Sequence, residues 1–124
     1  MTAAAPARLA AARAMSEAAL QDHVRALCDG LGLAVQHVHD PRRSWLPGWP
    51  DLTVIGSRVI YRELKSEQGT VSAEQRDVGQ RLTDAGQDWA VWRPAQLLSG
   101  EIGRQLASIT GHQIALPLWK DQSA

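Results

Sequence analysis

Residues 50–65 read PDLTVIGSRVIYRELK, two apolar, β-rich runs separated by Gly56, Ser57 and Arg58. The register of this hairpin decides which side chains share a face. Alternate residues of a strand point the same way, so Glu63 and Lys65 lie with Val59 and Tyr61. A two-residue turn at Gly56-Ser57 would pair Ile55 with Arg58 and Asp51 with Arg62, sending Asp51 and Glu63 to opposite sides. A three-residue loop, Gly56-Ser57-Arg58, pairs Ile55 with Val59 and Asp51 with Glu63. A slip of one residue exchanges every side chain between faces. The tight turn lacks the preferred Asn-Gly or Asp-Gly signal. The longer loop also gives consistent faces. Leu52, Val54, Ile60 and Leu64 share one; Ile55, Val59 and Tyr61 share the other, followed by Asp51, Glu63 and Lys65 at its far end. The three-residue register is therefore expected.

That register has a chemical consequence. Directly opposed side chains place their Cβ atoms about 5 Å apart. Two carboxylates that close repel unless one takes a proton or a cation sits between them. A hard divalent cation with oxygen ligands meets the need. Lys65 lies roughly 7 Å further along the same face. A metal, a polarised water and a fixed ammonium together suit phosphodiester hydrolysis. An ordinary ion-pair cluster at a strand end would gather the same three residues without any catalytic role.

The chain of 124 residues fits one domain, and its hydrophobic fraction of 44% suffices for a single core. No apolar run is long enough to span a bilayer. The opening, MTAAAPARLAAARA, is interrupted by Pro6, Arg8 and Arg13 and lacks a secretory h-region. Its Arg-rich, acid-free composition resembles an organelle transit peptide. The expectation is a flexible leader over residues 1–14, with the domain running over residues 15–110. Cys28, the single cysteine, excludes an internal disulfide and a Cys-rich zinc site. It falls on an apolar helix face as core filler, consistent with a reducing, cytoplasmic setting. The formal net charge is zero, which argues against a non-specific nucleic-acid binder. Basic charge nevertheless gathers around the hairpin, at Arg42, Arg43, Arg58, Arg62 and Lys65, against Asp51 and Glu63.

The remaining elements follow from spacing. Ser16 caps a helix over residues 17–29 that stops at Gly30, with Leu20, Val24, Leu27 and Leu31 as its apolar face. Residues 33–39 read as a strand, residues 40–50 as a Pro-, Arg- and Trp-rich loop, and residues 51–55 and 59–65 as the hairpin. Ser72 and Gln75 have capping-box spacing and open a helix over residues 73–85, ended by Gly86. Residues 88–94 form a fourth strand stopped by Pro94, and residues 96–108 a final helix. The tail, residues 111–124, offers Ile114, Leu116, Leu118 and Trp119 for an edge strand or an interface. The order αβββαβα gives an α/β fold with a mixed central sheet flanked by helices.

The pair Pro50-Asp51 followed by Glu63-Leu64-Lys65 resembles the PD-(D/E)xK nuclease signature. Its surroundings, GWPDL, ELKSEQGTVSAEQ, AGQDWAVWRP and HVHDPRRS, resemble the VRR-NUC group, the virus-type replication-repair nucleases, from about Ser16 to Pro94. Trp49 departs from that pattern, where a smaller aromatic is common. The resemblance implies a restriction-endonuclease-like core of the stand-alone phage or bacterial type. It implies a Mg²⁺- or Mn²⁺-dependent endodeoxyribonuclease acting on Holliday junctions or other branched DNA as a homodimer, leaving 5′-phosphate and 3′-hydroxyl ends. Asp51 and Glu63 would be metal ligands, with the Leu64 carbonyl as a further ligand and Glu17 completing the shell directly or through water. Lys65 would orient or activate the attacking water, and Gln75 would brace Lys65 or the nucleophile.

Each of these residues also has a plainer use. Acids favour a first helical turn, as Glu17 would, and Gln75 can serve the capping box alone. Arg42, Arg43 and Ser44 precede the metal motif and are expected at DNA phosphates. Trp45 and Trp49 can stack on a base or bury in a partner. Arg62, alternating away from Glu63, is expected to face outward or into an interface. His37 and His39 lack supporting ligands for zinc. The reading from a different class is a non-catalytic nucleic-acid-binding or assembly module that retains the nuclease fold.

Overall fold

Two serines set two helices by the same device. Ser16 Oγ accepts the Ala19 N–H at 3.0 Å, and Ser72 Oγ accepts the Gln75 N–H at 3.1 Å. Each satisfies a donor that the first helical turn leaves unpaired. The computed structural model, which describes residues 4–38 and 45–111, places these helices as α2 (Glu17–Gly30) and α3 (Ala73–Asp84). The strands are β1 (Ala34–His37), β2 (Leu52–Ile55), β3 (Val59–Leu64) and β4 (Asp88–Trp92). They form one mixed sheet in the order β1-β2-β3-β4, antiparallel except for the parallel pair β3-β4. The chain is therefore a mixed α/β fold, as expected.

The hairpin takes the three-residue register. Ile55 pairs with Val59 and Leu52 with Arg62, so Asp51, one residue before β2, falls opposite Glu63. Leu52, Val54, Ile60, Leu64 and Trp92 form one sheet face. Leu20, Val24 and Cys28 of α2 pack on it, together with Ile102, Leu106 and Ile109 from the C-terminal helical segment. Burial, then Asp29, pushes the Cys28 thiol up to about 11, in keeping with core packing. The opposite face carries α3. There the Trp89 ring lies against Gly79, where a Cβ would collide with the indole.

Two expectations change. Residues Ala4–Ala14, expected within a flexible leader, form helix α1. Alanine is the strongest helix former, and Ala12 is buried at 2%. The single helix expected over residues 96–108 is two, α4 (Pro94–Leu98) and α5 (Glu101–Ser108). Gly100 adopts φ +86° between them, a left-handed turn that glycine makes without steric cost. Pro94 both ends the strand and begins α4, because the first helical position has no N–H bond to lose. Helix α1 packs against α4. The tail from residue 112 onward, with its expected edge strand or interface, lies outside the described residues. No helix among the described residues is long and apolar enough to cross a membrane.

Arg62 does not face outward. It is buried at 3%, because β3 is covered on both sides and the alternation brings Arg62 into the core face. Nη1 pairs with Asp88 Oδ1 and donates to the Asp88 carbonyl, both at 2.9 Å. Nη2 donates to Gln105 Oε1 at 3.1 Å, which also accepts Trp92 Nε1–H at 2.9 Å. The guanidinium lies 5.0 Å from the Trp92 ring, a cation–π distance. Burial pulls the Arg62 pKa down, and Asp88 opposes that pull. For Asp88, burial pushes up, but the bonds to Arg58 and Arg62 outweigh it and hold the carboxyl below its ordinary value. This cluster ties β3, β4 and α5 together. Arg62→Ala strips partners from Gln105 and Asp88 and is expected to cost about 2–4 kcal/mol of unfolding free energy, read from urea denaturation.

Candidate functional site

Asp51 is fixed by its own backbone and by its neighbour strand. Its carbonyl accepts the Val38 N–H at 3.1 Å, extending the β1-β2 ladder. Its Oδ2 accepts the Leu64 N–H at 2.8 Å, so the carboxylate bridges to β3 beside Glu63. Glu63 is wholly buried. Its Oε1 accepts Gln75 Nε2–H at 2.9 Å, whereas Oε2 meets no donor among the described residues. The facing group is the Asp51 carboxylate, and two carboxylates bond only by sharing a proton. Desolvation, then the hydrogen bond and charge of Asp51, raises the Glu63 pKa to about 9, opposed by Lys65. Burial and a like-charged neighbour thus favour the protonated form of Glu63.

Gln75 does two things at once. Its Oε1 accepts the Ser72 N–H at 2.9 Å, completing the capping box. That bond fixes the amide's orientation and aims Nε2 at Glu63. The sequence reading had Gln75 bracing Lys65 or the nucleophile; the structure has it bracing Glu63. The N-terminus of α3 is itself held by the 45–50 loop. Gly48 has φ +92°, and a Cβ there would strike the Glu74 carbonyl group and come within 2.8 Å of Gln75 N. Trp49 stacks edge-on against Tyr61, centroids 5.9 Å apart at 86°. Tyr61 shares the β3 face of Glu63, so the departure at Trp49 is accommodated by packing.

Glu17 begins α2 and reaches the same place. Burial, then Asp51, raises its pKa, and Lys65 opposes this. Lys65 is half-buried, and its N–H donates to the Trp92 carbonyl at 3.1 Å. The structure thus brings Glu17, Asp51, Glu63, Leu64, Lys65 and Gln75 to one end of the sheet. Trp45 is fully exposed and in no contact with this cluster that would define a role. Arg42, Arg43, Ser44 and His39 lie outside the described residues.

Among the described residues no three His, Cys, Asp or Glu side chains are gathered as a ready ligand set. The Asp51–Glu63 pair nonetheless suits a hard cation: both donors are oxygens, and no donor among the described residues reaches the buried Glu63 Oε2. A shallow cavity of about 200 Å³, bordered by Gly48, Trp49, Asp51 and Gln75, adjoins the pair. A larger groove of about 580 Å³ lies along α3 and β4 and touches none of the carboxylates. Comparison with family models, curated proteins and solved structures finds no match. What the site can do therefore follows from its own geometry.

Two expectations arise here. Glu63 has a folded pKa above its unfolded one, so it stabilises the fold below the unfolded pKa and loses that contribution as pH rises toward about 9. In EDTA, the urea midpoint of the protein should fall between pH 5 and pH 9. Glu63→Gln, which keeps the Gln75 contact and supplies Asp51 with a donor, should flatten that slope and raise the midpoint at pH 8. Gly48→Ala places a Cβ against the α3 terminus at an unfavourable φ and is expected to cost about 1–3 kcal/mol in the same assay.

Proposed function

We propose that this chain is a metal-dependent DNA endonuclease with a restriction-endonuclease-like core of the VRR-NUC type. The observation that carries the reading is the Asp51–Glu63 carboxylate pair on one face. One oxygen of the pair is buried without a donor, and Lys65 acts on both Glu63 and Glu17 electrostatically. Asp51, Glu63 and the Leu64 carbonyl would hold Mg²⁺ or Mn²⁺, with Glu17 reaching it through water. The bound ion would lower the pKa of a water molecule and draw charge from the scissile phosphate.

The chain's own residues supply the rest. The Leu64 N–H holds the Asp51 carboxylate in place. Gln75 orients Glu63. The Lys65 ammonium faces the same charged centre, where it orients the attacking water and stabilises the negative charge that grows on the phosphoryl oxygens. The exposed Trp45 and the neighbouring Arg42, Arg43 and Ser44 would meet DNA, Trp45 stacking on a splayed base and the others on phosphates. A chain of this size has little surface for reading sequence, which favours branched DNA such as a Holliday junction. Two-fold junctions suit a homodimer acting in the cytoplasm of a bacterial or phage-infected cell.

Labelled four-way junction, flap and linear duplex should be cut in Mg²⁺ or Mn²⁺ and left intact in EDTA. Asp51→Ala and Lys65→Ala should each lower the single-turnover rate by about 10²–10⁴-fold. Cutting retained by either variant would overturn the assignment. Binding without cutting under every metal would identify a non-catalytic DNA-binding module instead.

A further inference from the structure

Lys65, one residue past β3, is still tied to the sheet through its N–H to the Trp92 carbonyl. Beyond it the chain leaves the sheet as the loop 66–71 before reaching Ser72 and the start of α3. One side chain gathers several carbonyls of that loop. Arg93, at the end of β4, donates from Nη1 to the carbonyls of Ser66 at 2.6 Å and Gly69 at 2.7 Å, and more weakly to Glu67 at 3.4 Å. Glu67 in turn accepts the Ala95 N–H at 2.7 Å in the first turn of α4. The loop runs beside the lysine stem: the position a Cβ would take on Gly69 lies 3.5 Å from Lys65 Cδ.

Resting on the nuclease reading above, we propose that Arg93 is a positioning residue for Lys65. By drawing the loop carbonyls together it lays Gly69 against the lysine stem and fixes the direction of the ammonium. A lysine has four rotatable torsions, so its tip is located only as well as its stem is packed. Among the described residues the Arg93 side chain bonds the loop and none of the carboxylates. Both short bonds leave one nitrogen, Nη1, whose two hydrogens serve the two carbonyls.

The test compares single-turnover cleavage with DNA affinity measured in Ca²⁺. Arg93→Ala is expected to lower the rate by about 10–100-fold, the scale of a small misplacement of a catalytic group, and to leave affinity within about threefold. Arg93→Lys should recover part of the rate. In a Lys65→Ala background Arg93→Ala should cost little more, since both changes remove the same interaction. A rate within about threefold of wild type, an equal loss in the Lys65→Ala background, or a loss of affinity that accounts for the rate would each overturn the proposal. If Arg93→Ala does not fold, Arg93→Lys and Glu67→Ala take its place, each expected to slow cleavage without weakening binding. Amide exchange over residues 66–71 separates this proposal from the nuclease reading. Failure of the wild type to cut with any metal overturns that reading, whereas exchange unaltered by the Arg93 variants overturns the clamp itself.

Discussion

Two carboxyl groups held face to face across a strand pair constrain everything around them. Asp51 and Glu63 cannot both be ionised at short range without a compensating charge. The burial of Glu63 sharpens the constraint, because a low dielectric magnifies repulsion and penalises an unpaired oxygen. The fold answers with a Leu64 N–H for Asp51 and a Gln75 amide for Glu63, and leaves one Glu63 oxygen without a donor. A pair assembled this way favours a proton on Glu63.

The elements near the pair are braced from outside it. Gly48 allows the loop before β2 to press on the start of α3, so the residue that braces Glu63 is itself pinned by the segment that delivers Asp51. The Trp49–Tyr61 contact adds a side-chain layer to the same junction. On the other face of β3, Arg62 joins Asp88, Gln105 and Trp92 in a buried polar cluster that fixes β4 and α5 against the strand carrying Glu63. A buried charge of this kind is costly when isolated; here both terminal nitrogens are engaged, while Nε finds no partner among the described residues. Through β4 the same strand end that pairs with Lys65 also delivers Arg93 to the following loop, so the backbone that sets the lysine and the side chain that holds its loop share one anchor.

Much of this was legible in the chain. The alternation of Leu52, Val54, Ile60 and Leu64, with a glycine-containing loop too poor for a tight turn, was enough to choose the hairpin register and hence to bring Asp51 to Glu63. The serine caps and the apolar spacing of Leu20, Val24 and Val78 marked two helices, because local hydrogen bonding and helical periodicity are written in neighbouring residues. Other features had no local signal. Arg62 looked like an outward residue because strand alternation says which face a side chain takes, not whether that face is covered. Arg93 bonds carbonyls 24 and 27 residues away, and backbone acceptors carry no sequence identity. The break at Gly100 was hidden because a glycine inside a helical pattern can be tolerated or can end a helix, and packing decides which. The N-terminal helix was missed because alanine-rich sequence has helical propensity but no strong amphipathic stripe.

The sequence by itself determined the hairpin register, the helix starts and the set of acidic, basic and amide residues able to meet at one end of a sheet. These depend on periods of two and on bonds spanning a few residues. Only the tertiary structure decided that Glu63 is buried with an oxygen lacking a donor, that Gln75 turns its amide to Glu63 rather than Lys65, and that Arg62 is enclosed. Each of these is a question of what covers a face and which distant backbone comes near, and that is settled by packing across the whole domain.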